Sequence, residues 1–554
     1  MRATRFAIPR HALLRTVPAT HVTQSAVVSR RNCGLARSGA SSSASLAAQQ
    51  TSSLSLWNGS DEFTVLDDRK DAPPLPLPPV DRPVRVVIVR HGQSTWNAEG
   101  RIQGSTDLSV LTAKGVKQAE KTQDMLSAMR FAAVLHSPLA RARQTAEVVL
   151  QAHQPGSACP APAPAPTTLP SLREIDLYSF QGLLKHEGKA LYGKQYGSWQ
   201  KAPEAFEIDG HPPVRELWHR ASLVWRQVLA TAASLPATPA PSSPSAPSSC
   251  DPPTLLVVAH NAINQALVGT ALGLPPSYFR RLPQNNAALS VLDLRPGDGG
   301  GAPEVALSCL NQSPDNPFKN PDKVVANVAL LSPPPPGPGG ERAVAALAET
   351  LSKIRISHVL ATPCASPELI EGLLSRQAQA GPGSGPGPAG PAPDSTPVTW
   401  ASASSLSGPS LSSADDSSLS ETEAEAEPAP RSAAAGAEGA GGGLEPLAVA
   451  VDVGPTAGPT AAAQLWGAAV ALAAEPDRRA GTPHGNILVV LDEAQHVGAI
   501  WAALGLGLGP DGPADPARAR LVASAGGLSV VEFAADPRTA PAFVRCINNT
   551  AHLE

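Results

Sequence analysis

The run Val84-Arg85-Val86-Val87-Ile88-Val89-Arg90-His91-Gly92-Gln93-Ser94-Thr95-Trp96-Asn97 decides how this chain is read. Its first six residues are rich in β-branched side chains and bounded by Pro83 and Gly92, the pattern of a short strand buried on both faces of a sheet. Ligands of open α/β sheets sit beyond the carboxyl ends of strands, where Arg90 and His91 emerge. Gly92 lets the backbone approach an anion closely. A histidine beside an arginine is ordinarily a solvated surface pair, so the assignment needs partners.

Two further segments supply them. Ser137-Pro138-Leu139-Ala140-Arg141 follows an apolar run from Phe131 to Leu135 and leads into a helical stretch, and Leu255-Leu256-Val257-Val258-Ala259 is another buried strand ending at His260. Strands ending at Val89, Leu135, Val258 and Val291 alternate with helical stretches over 114–129, 140–152, 214–233 and 262–272. That alternation predicts a three-layer α/β/α sandwich with a mostly parallel sheet, and it gathers two histidines and two arginines into one cationic pocket.

Such a pocket suits phosphoryl transfer. The charge on a phosphate ester must be neutralised before a nucleophile can approach, and Arg90 and Arg141 present permanently charged forks with paired donors. A neutral imidazole among cations is a competent nucleophile, which assigns His91 the attack on phosphorus. His260 and Asn97 would hold the phosphoryl oxygens. One carboxyl group can protonate the leaving oxygen and later activate water; Glu174, in a loop between a Pro-rich stretch and the turn-rich Ser179–Gly182, is the choice, with Asp176 as its rival.

The strings Arg90–Asn97, Ser137–Arg141 and Ala259-His260 resemble the histidine phosphatase superfamily, the phosphoglycerate mutase-like group. Gly100–Gly104, Arg173–Gly182, Asp209–His211, Val214–Trp218 and Ala259–Leu267 resemble a plant chloroplast branch of it, densely over residues 84 to 320. The resemblance implies a phosphohistidine intermediate and a small phosphorylated sugar acid as substrate, 2-carboxy-D-arabinitol 1-phosphate or another Rubisco inhibitor. It places the proton donor at Glu174 and puts Gln103 and Gly104 against substrate, although Gly104 also suits a simple turn. Phosphoglycerate mutase-type transfer is the alternative of the same chemistry, and a noncatalytic binding or scaffold protein the alternative of another class. Arg215 and Arg220 read equally well as a solvated helix face, Arg143 as a solvated neighbour of Arg141, and Trp96, Trp199, Trp218 and Trp225 as packing.

The six cysteines are dispersed, with no zinc spacing, so neither a metal site nor a cofactor is expected and free thiols are the default. A formal net charge of −4 gives no nucleic-acid signal, and no apolar run is long enough to cross a bilayer. From Met1 to Ser60 there is no acidic residue, while arginines are scattered among Ala, Ser and Thr, which is transit-peptide composition. The resemblance favours chloroplast over mitochondrion. Residues 61–83 read as a linker, 84–323 as the catalytic domain, and 377–443, rich in Ala, Gly, Ser and Pro, as a disordered insert.

Comparing the chain with itself gives the last expectation. Leu255–Leu274 matches Ile487–Leu506, Ala288–Asp293 matches Gly527–Glu532, and Val134–Pro138 matches Val359–Pro363. The strand residues persist, but His260 corresponds to Asp492, Arg141 to Ser366, and Leu331-Ser332-Pro333 stands where Arg90 and His91 would be. Residues 324–376 and 444–554 therefore read as a degenerate second copy without phosphatase activity, packed on the first half.

Overall fold

The structure is a computed structural model and describes residues 67–154, 162–236, 252–313, 317–318, 324–377, 399–402, 449–452, 459–476, 484–506 and 519–550. In chain order the strands are β1 Val84–Arg90, β2 Ala133–His136, β3 Thr167–Thr168, β4 Thr254–Ala259, β5 Leu289–Arg295, β6 Glu304–Gln312, β7 Ala326–Leu331, β8 Ile356–Ala361, β9 Thr399–Ser402, β10 Val449–Asp452, β11 Asn486–Val490, β12 Ala519–Leu521, β13 Leu528–Phe533 and β14 Phe543–Asn549. The α-helices are α1 Thr95–Glu99, α2 Ala113–Leu126, α3 Ala140–Val149, α4 Lys185–Lys201, α5 Pro213–Ser234, α6 Asn261–Ala271, α7 Pro338–Leu351, α8 Pro367–Leu374, α9 Pro459–Ala473 and α10 Glu493–Ala503.

The strands join into one sheet in the order β3-β2-β4-β1-β5-β6-β14-β13-β7-β11-β8-β10-β9, with β12 pairing on β6. Each flank is parallel: β1, β4, β2 and β3 in the first half, and β7, β11, β8, β10 and β9 in the second. The middle is not. β5 runs antiparallel to β1 and β6, β13 antiparallel to β7 and β14, and β14 meets β6 antiparallel at Ile547 and Leu310. The expected mostly parallel sheet is thus parallel in its flanks and, in the middle, only where β12 joins β6, because short connections such as that from β5 to β6 need no helical crossover. The low-complexity insert, expected to be disordered over 377–443, contributes β9 beside β10; its other residues, apart from Gln377, lie outside those described, as does the whole N-terminal segment read as a transit peptide.

Both faces of the sheet are buried, as continuous apolar strands require. Val86, Ile88, Leu255 and Val257 pack on α5 and α6, and the same core runs on through Val328, Val489 and Val544 to residues of α9 and α10. On the opposite face two separate cores form, one from Val87, Val89 and Leu256 with Leu126 and Val149, the other from Leu331, Leu488 and Val530 with Leu347 and Ile370. The two flanks therefore share one apolar layer and keep a private layer each.

That layering positions the site. From β1 the chain passes to α2, whose Leu126 lies in one layer. From its parallel neighbour β4 it passes to α6, whose Ile263 and Leu267 lie in the other. Adjacent strands whose chains depart to opposite faces leave a crevice between their carboxyl ends, the usual ligand position in such sheets. His91 and His260 are the first residues beyond those two strands.

Candidate active site

The crevice holds most of the expected residues together. His91, Arg141 and His260 are almost fully buried, and the two imidazoles meet edge to face with centroids 5.1 Å apart. The His91 backbone N–H donates to Ala259 O at 3.0 Å and Ser137 N–H to Val258 O at 3.0 Å, so the ladder itself ties the ends of β1, β4 and β2 into one rim.

Each side chain is fixed in turn. His91 Nδ1 lies 2.7 Å from Gly92 O, so it carries the hydrogen, and Nε2 is left with its lone pair free. Burial first, then the Arg90 and Arg141 charges, push the His91 pKa well below its ordinary 6.5, against the hydrogen bond to Gly92; the ring is neutral at pH 7. Burial, Arg141 and His91 do the same to His260, whose Nε2 lies 2.6 Å from Ser137 Oγ. His260 is therefore a neutral imidazole and not a cation at pH 7. Arg90 Nη1 donates to Gln284 O at 2.6 Å, and Arg141 donates to Thr106 O and Gly104 O at 3.0 and 2.9 Å. Burial lowers both guanidiniums to about 10, opposed by the Glu174 charge, and both stay cationic at neutral pH.

Glu174 is not on an open flap. It is buried, and its carboxylate accepts backbone N–H groups of Ala262 at 3.1 Å and Ile263 at 3.2 Å, at the start of α6 immediately after His260. Its rival Asp176 faces away into an arginine cluster, bonded to Arg173 and Arg220 at 2.8 Å each and to Ser105 at 2.5 Å. Burial raises the Asp176 carboxyl, but Arg220 and Arg173 outweigh it and hold the pKa at about 2. Its oxygens are taken up by these donors, so Asp176 belongs to the arginine cluster and not to the crevice.

The neighbours sort as follows. Asn97 Oδ1 accepts from Ser94 Oγ and N, capping α1, and from Asn286 Nδ2 at 3.3 Å, which leaves its own Nδ2 for a ligand. Gln103 binds Ser94 Oγ at 3.0 Å. Gly104 has φ +56, and a Cβ there would fall 2.0 Å from Gln181 Oε1, so it serves both a turn and, through its carbonyl, Arg141. Arg215 pairs with Asp71 and Glu207 at the surface and Arg143 with Glu147. Arg220 overturns the solvated-face reading: it is 2% exposed and donates to the carbonyls of Arg173 and Glu174 at 3.1 and 2.9 Å, positioning the acid's own backbone. Trp218 and Trp225 are core residues.

Other contributors were not singled out from sequence. Thr145 Oγ1 accepts Gly92 N–H at 3.1 Å and donates to Arg141 O at 2.8 Å, tying nucleophile loop to anion clamp. Gln284 and Asn286 hold Arg90 and the His91 carbonyl from the loop that enters β5. Because β5 is antiparallel to β1, its entry lies beside the exit of β1; a parallel reading hides that neighbour, and the polar triplet Gln284-Asn285-Asn286 before an apolar run was the available signal. Among the described residues, no grouping of His, Cys, Asp and Glu could hold a metal ion.

A buried neutral imidazole among two arginines beside a buried carboxylate defines a class. Residues 86–301 match the model of the histidine phosphatase superfamily, branch 1. The chain belongs to that superfamily. Among its relatives, 2-carboxy-D-arabinitol-1-phosphatase of Triticum aestivum is 50% identical over 253 residues, 45% of this chain and 45% of the relative. A probable 2-carboxy-D-arabinitol-1-phosphatase of Arabidopsis thaliana is 40% identical over 323 residues, 54% and 61% of the respective chains. A probable phosphoglycerate mutase GpmB of Proteus mirabilis (strain HI4320) is 31% identical over 210 residues, 38% of this chain and 85% of the relative. The matched region thus spans 45% and 61% of the length of the two plant relatives.

Proposed function

We propose that this chain hydrolyses a phosphate monoester of a sugar acid, 2-carboxy-D-arabinitol 1-phosphate or a related Rubisco-inhibiting phosphate, through a phosphohistidine. The observation that carries the reading is the free Nε2 of a neutral His91 held between Arg90 and Arg141. In the first step that lone pair attacks phosphorus, the P–O bond to the sugar breaks, and the proton carried in by the monoanionic ester passes through the Glu174 carboxylate to the departing oxygen. The imidazolium formed is steadied by Gly92 O on Nδ1. In the second step Glu174 takes a proton from water, whose oxygen displaces His91 and leaves as inorganic phosphate. Arg90, Arg141, His260 and Asn97 hold the three equatorial oxygens throughout. The names of the plant relatives support the sugar acid.

The name of the bacterial relative favours a second reading, transfer of the phosphoryl group to a product hydroxyl in place of water. Brief exposure of the purified chain to 2-carboxy-D-arabinitol 1-phosphate and to 3-phosphoglycerate separates the two. Expected are acid-labile phosphate on the protein, release of free phosphate from the arabinitol ester, and loss of both, by at least a thousandfold in rate, in His91→Ala. Isomerisation of 3-phosphoglycerate without free phosphate would establish the mutase.

Two finer statements belong to the same proposal. The chain works in the chloroplast, a reading supported by the acid-free, arginine-dotted N-terminal composition and by relatives from plants. Residues 324–554 are a degenerate second copy. Its support is the strand order: read outward from the central β6–β14 pair, β5-β1-β4-β2 on one side is mirrored by β13-β7-β11-β8 on the other. Asp492 caps α10 where His260 precedes α6, and an aspartate there would repel a phosphate.

A further inference from the structure

Between the active-site rim and the second half lies a cavity of about 350 Å³ whose walls include Asn261 and Pro283 from one side and Glu532, Phe543 and Arg545 from the other. Asn261 is the residue after His260, and its Oδ1 accepts the N–H of Gln284, whose carbonyl holds Arg90. The cavity therefore borders the segment that carries His260 and supports Arg90, the neighbourhood into which the rest of a bound phosphate ester extends.

Its polar groups are unequally satisfied. Arg280 projects from a backbone with φ +76, a conformation that favours glycine and costs about 1 kcal/mol for other residues. Its guanidinium stacks 4.3 Å over the Trp199 ring and reaches Gln200 Oε1 only at 3.5 Å, while its N–H is pinned to Gln265 Oε1 at 2.7 Å. No carboxylate among the described residues pairs with it. Across the cavity Glu532 is 2% exposed; one carboxylate oxygen is taken by Arg545, and the other, Oε1, has no partner. A buried acceptor without a donor is costly, and the half-buried Arg280 has no anion on its guanidinium and a buried Nε without an acceptor. A ligand that brings a carboxylate to Arg280 and a hydroxyl hydrogen to Glu532 Oε1 satisfies both.

We infer that this cavity is the specificity subsite of the enzyme, binding the carboxylate of a hydroxylated acid on Arg280 and one of its hydroxyls on Glu532, so that the second half, though lacking the catalytic residues, selects the substrate. The inference deepens the proposed phosphatase reading and rests on it for the position of the phosphate. Arg545 joins the two sites physically: it holds Glu532 and also donates to Asn285 Oδ1 at 3.2 Å, between the residues that hold Arg90 and the His91 carbonyl.

The test uses the full chain and three esters: 2-carboxy-D-arabinitol 1-phosphate, D-arabinitol 1-phosphate, which lacks only the carboxylate, and phenyl phosphate, which lacks both carboxylate and hydroxyls. Arg280→Gln is expected to cut the kcat/KM ratio of the first ester to the second at least tenfold, chiefly through KM, with partial recovery in Arg280→Lys. Glu532→Gln is expected to cut the ratio of either arabinitol ester to phenyl phosphate threefold or more. Ratios within twofold of the wild type in Arg280→Gln, or equal losses on all three esters, overturn the subsite. If the wild type hydrolyses none of them, the phosphatase reading falls by itself. The subsite is then judged by calorimetry with the unphosphorylated carboxy-arabinitol: binding by the wild type and not by Arg280→Gln upholds it, and absence of binding or equal binding overturns it.

Discussion

Arg220 carries no charge to the substrate, yet it decides which carboxylate can do chemistry. By neutralising Asp176 and grasping the Glu174 carbonyl it leaves one acid ionised and inert while the other is turned onto the start of α6. The same economy governs the imidazoles. Burial and neighbouring cations keep His91 and His260 neutral, so nitrogen-15 spectra of the two rings, assigned with His91→Gln, are expected to show midpoints well below the ordinary 6.5. A midpoint near the ordinary 6.5 in either ring refutes the arrangement. The sign for stability follows: below about pH 6.5 the unfolded chain takes up protons at these rings and the folded chain does not, so stability in chemical unfolding falls as pH is lowered through that value. At this scale Arg90, His91 and His260 were legible because each sits at a strand end with an unusual neighbour, while Arg141 in α3 and Glu174 in a loop stood out by their place in recognisable strings. Arg220 was not, since a helical arginine looks the same from sequence whether it meets water or a buried aspartate.

Among the elements, α2 and the turn after β1 are fitted by two facing glycines. A Cβ on Gly92 would lie 2.3 Å from Gly115 O, and one on Gly115 only 2.0 Å from Gln93 O. Alanine in a helix ordinarily stabilises by about 1 kcal/mol over glycine; at Gly197 in α4, where nothing lies within 4 Å, that gain is expected. At Gly115 the sign reverses: backbone cannot yield as a side-chain tip can, so Gly115→Ala is expected to lower stability by about 1–3 kcal/mol and kcat by at least tenfold, because the displaced segment carries His91. Thermal unfolding and turnover of the two variants side by side decide it, and a stabilised, fully active Gly115→Ala would refute it. The main strands and helices of the first half were readable because apolar runs and turn residues alternate, but their ends were not: the strand read to Val291 runs to Arg295, the helix read to residue 152 stops at Val149, and α4 was missed. Strand direction in the middle of the sheet was hidden too, because an apolar strand buried on both faces has the same composition whether its neighbour runs with it or against it. The entry of β5 into the site was hidden for that reason.

Over the whole molecule, the continuous sheet and the apolar layer shared by α5, α6, α9 and α10 make the two halves one folding unit. A chain ending at residue 323 would uncover the edge of β6, including Leu310, and the Val328–Val489–Val544 side of the common core. It is expected to be insoluble or to associate, and to lose the proposed activity even though every residue proposed for catalysis is retained; sedimentation and turnover against the full chain test this, and a soluble, monomeric, active fragment would refute it. The proposed repetition rests on strand composition, which survives drift. The fusion was not, since pairing of β14 on β6 depends on edges that no local pattern marks.

That seam has a consequence for biosynthesis. Polypeptides emerge amino end first and domains fold as they appear, but here the nascent portion bearing the nucleophile must wait, with a sticky border unpaired, until the ribosome has made the last strand. Translation speed and holdase chaperones therefore become determinants of yield for this chain, and pausing within the long proline- and glycine-rich stretch prolongs the interval of greatest vulnerability.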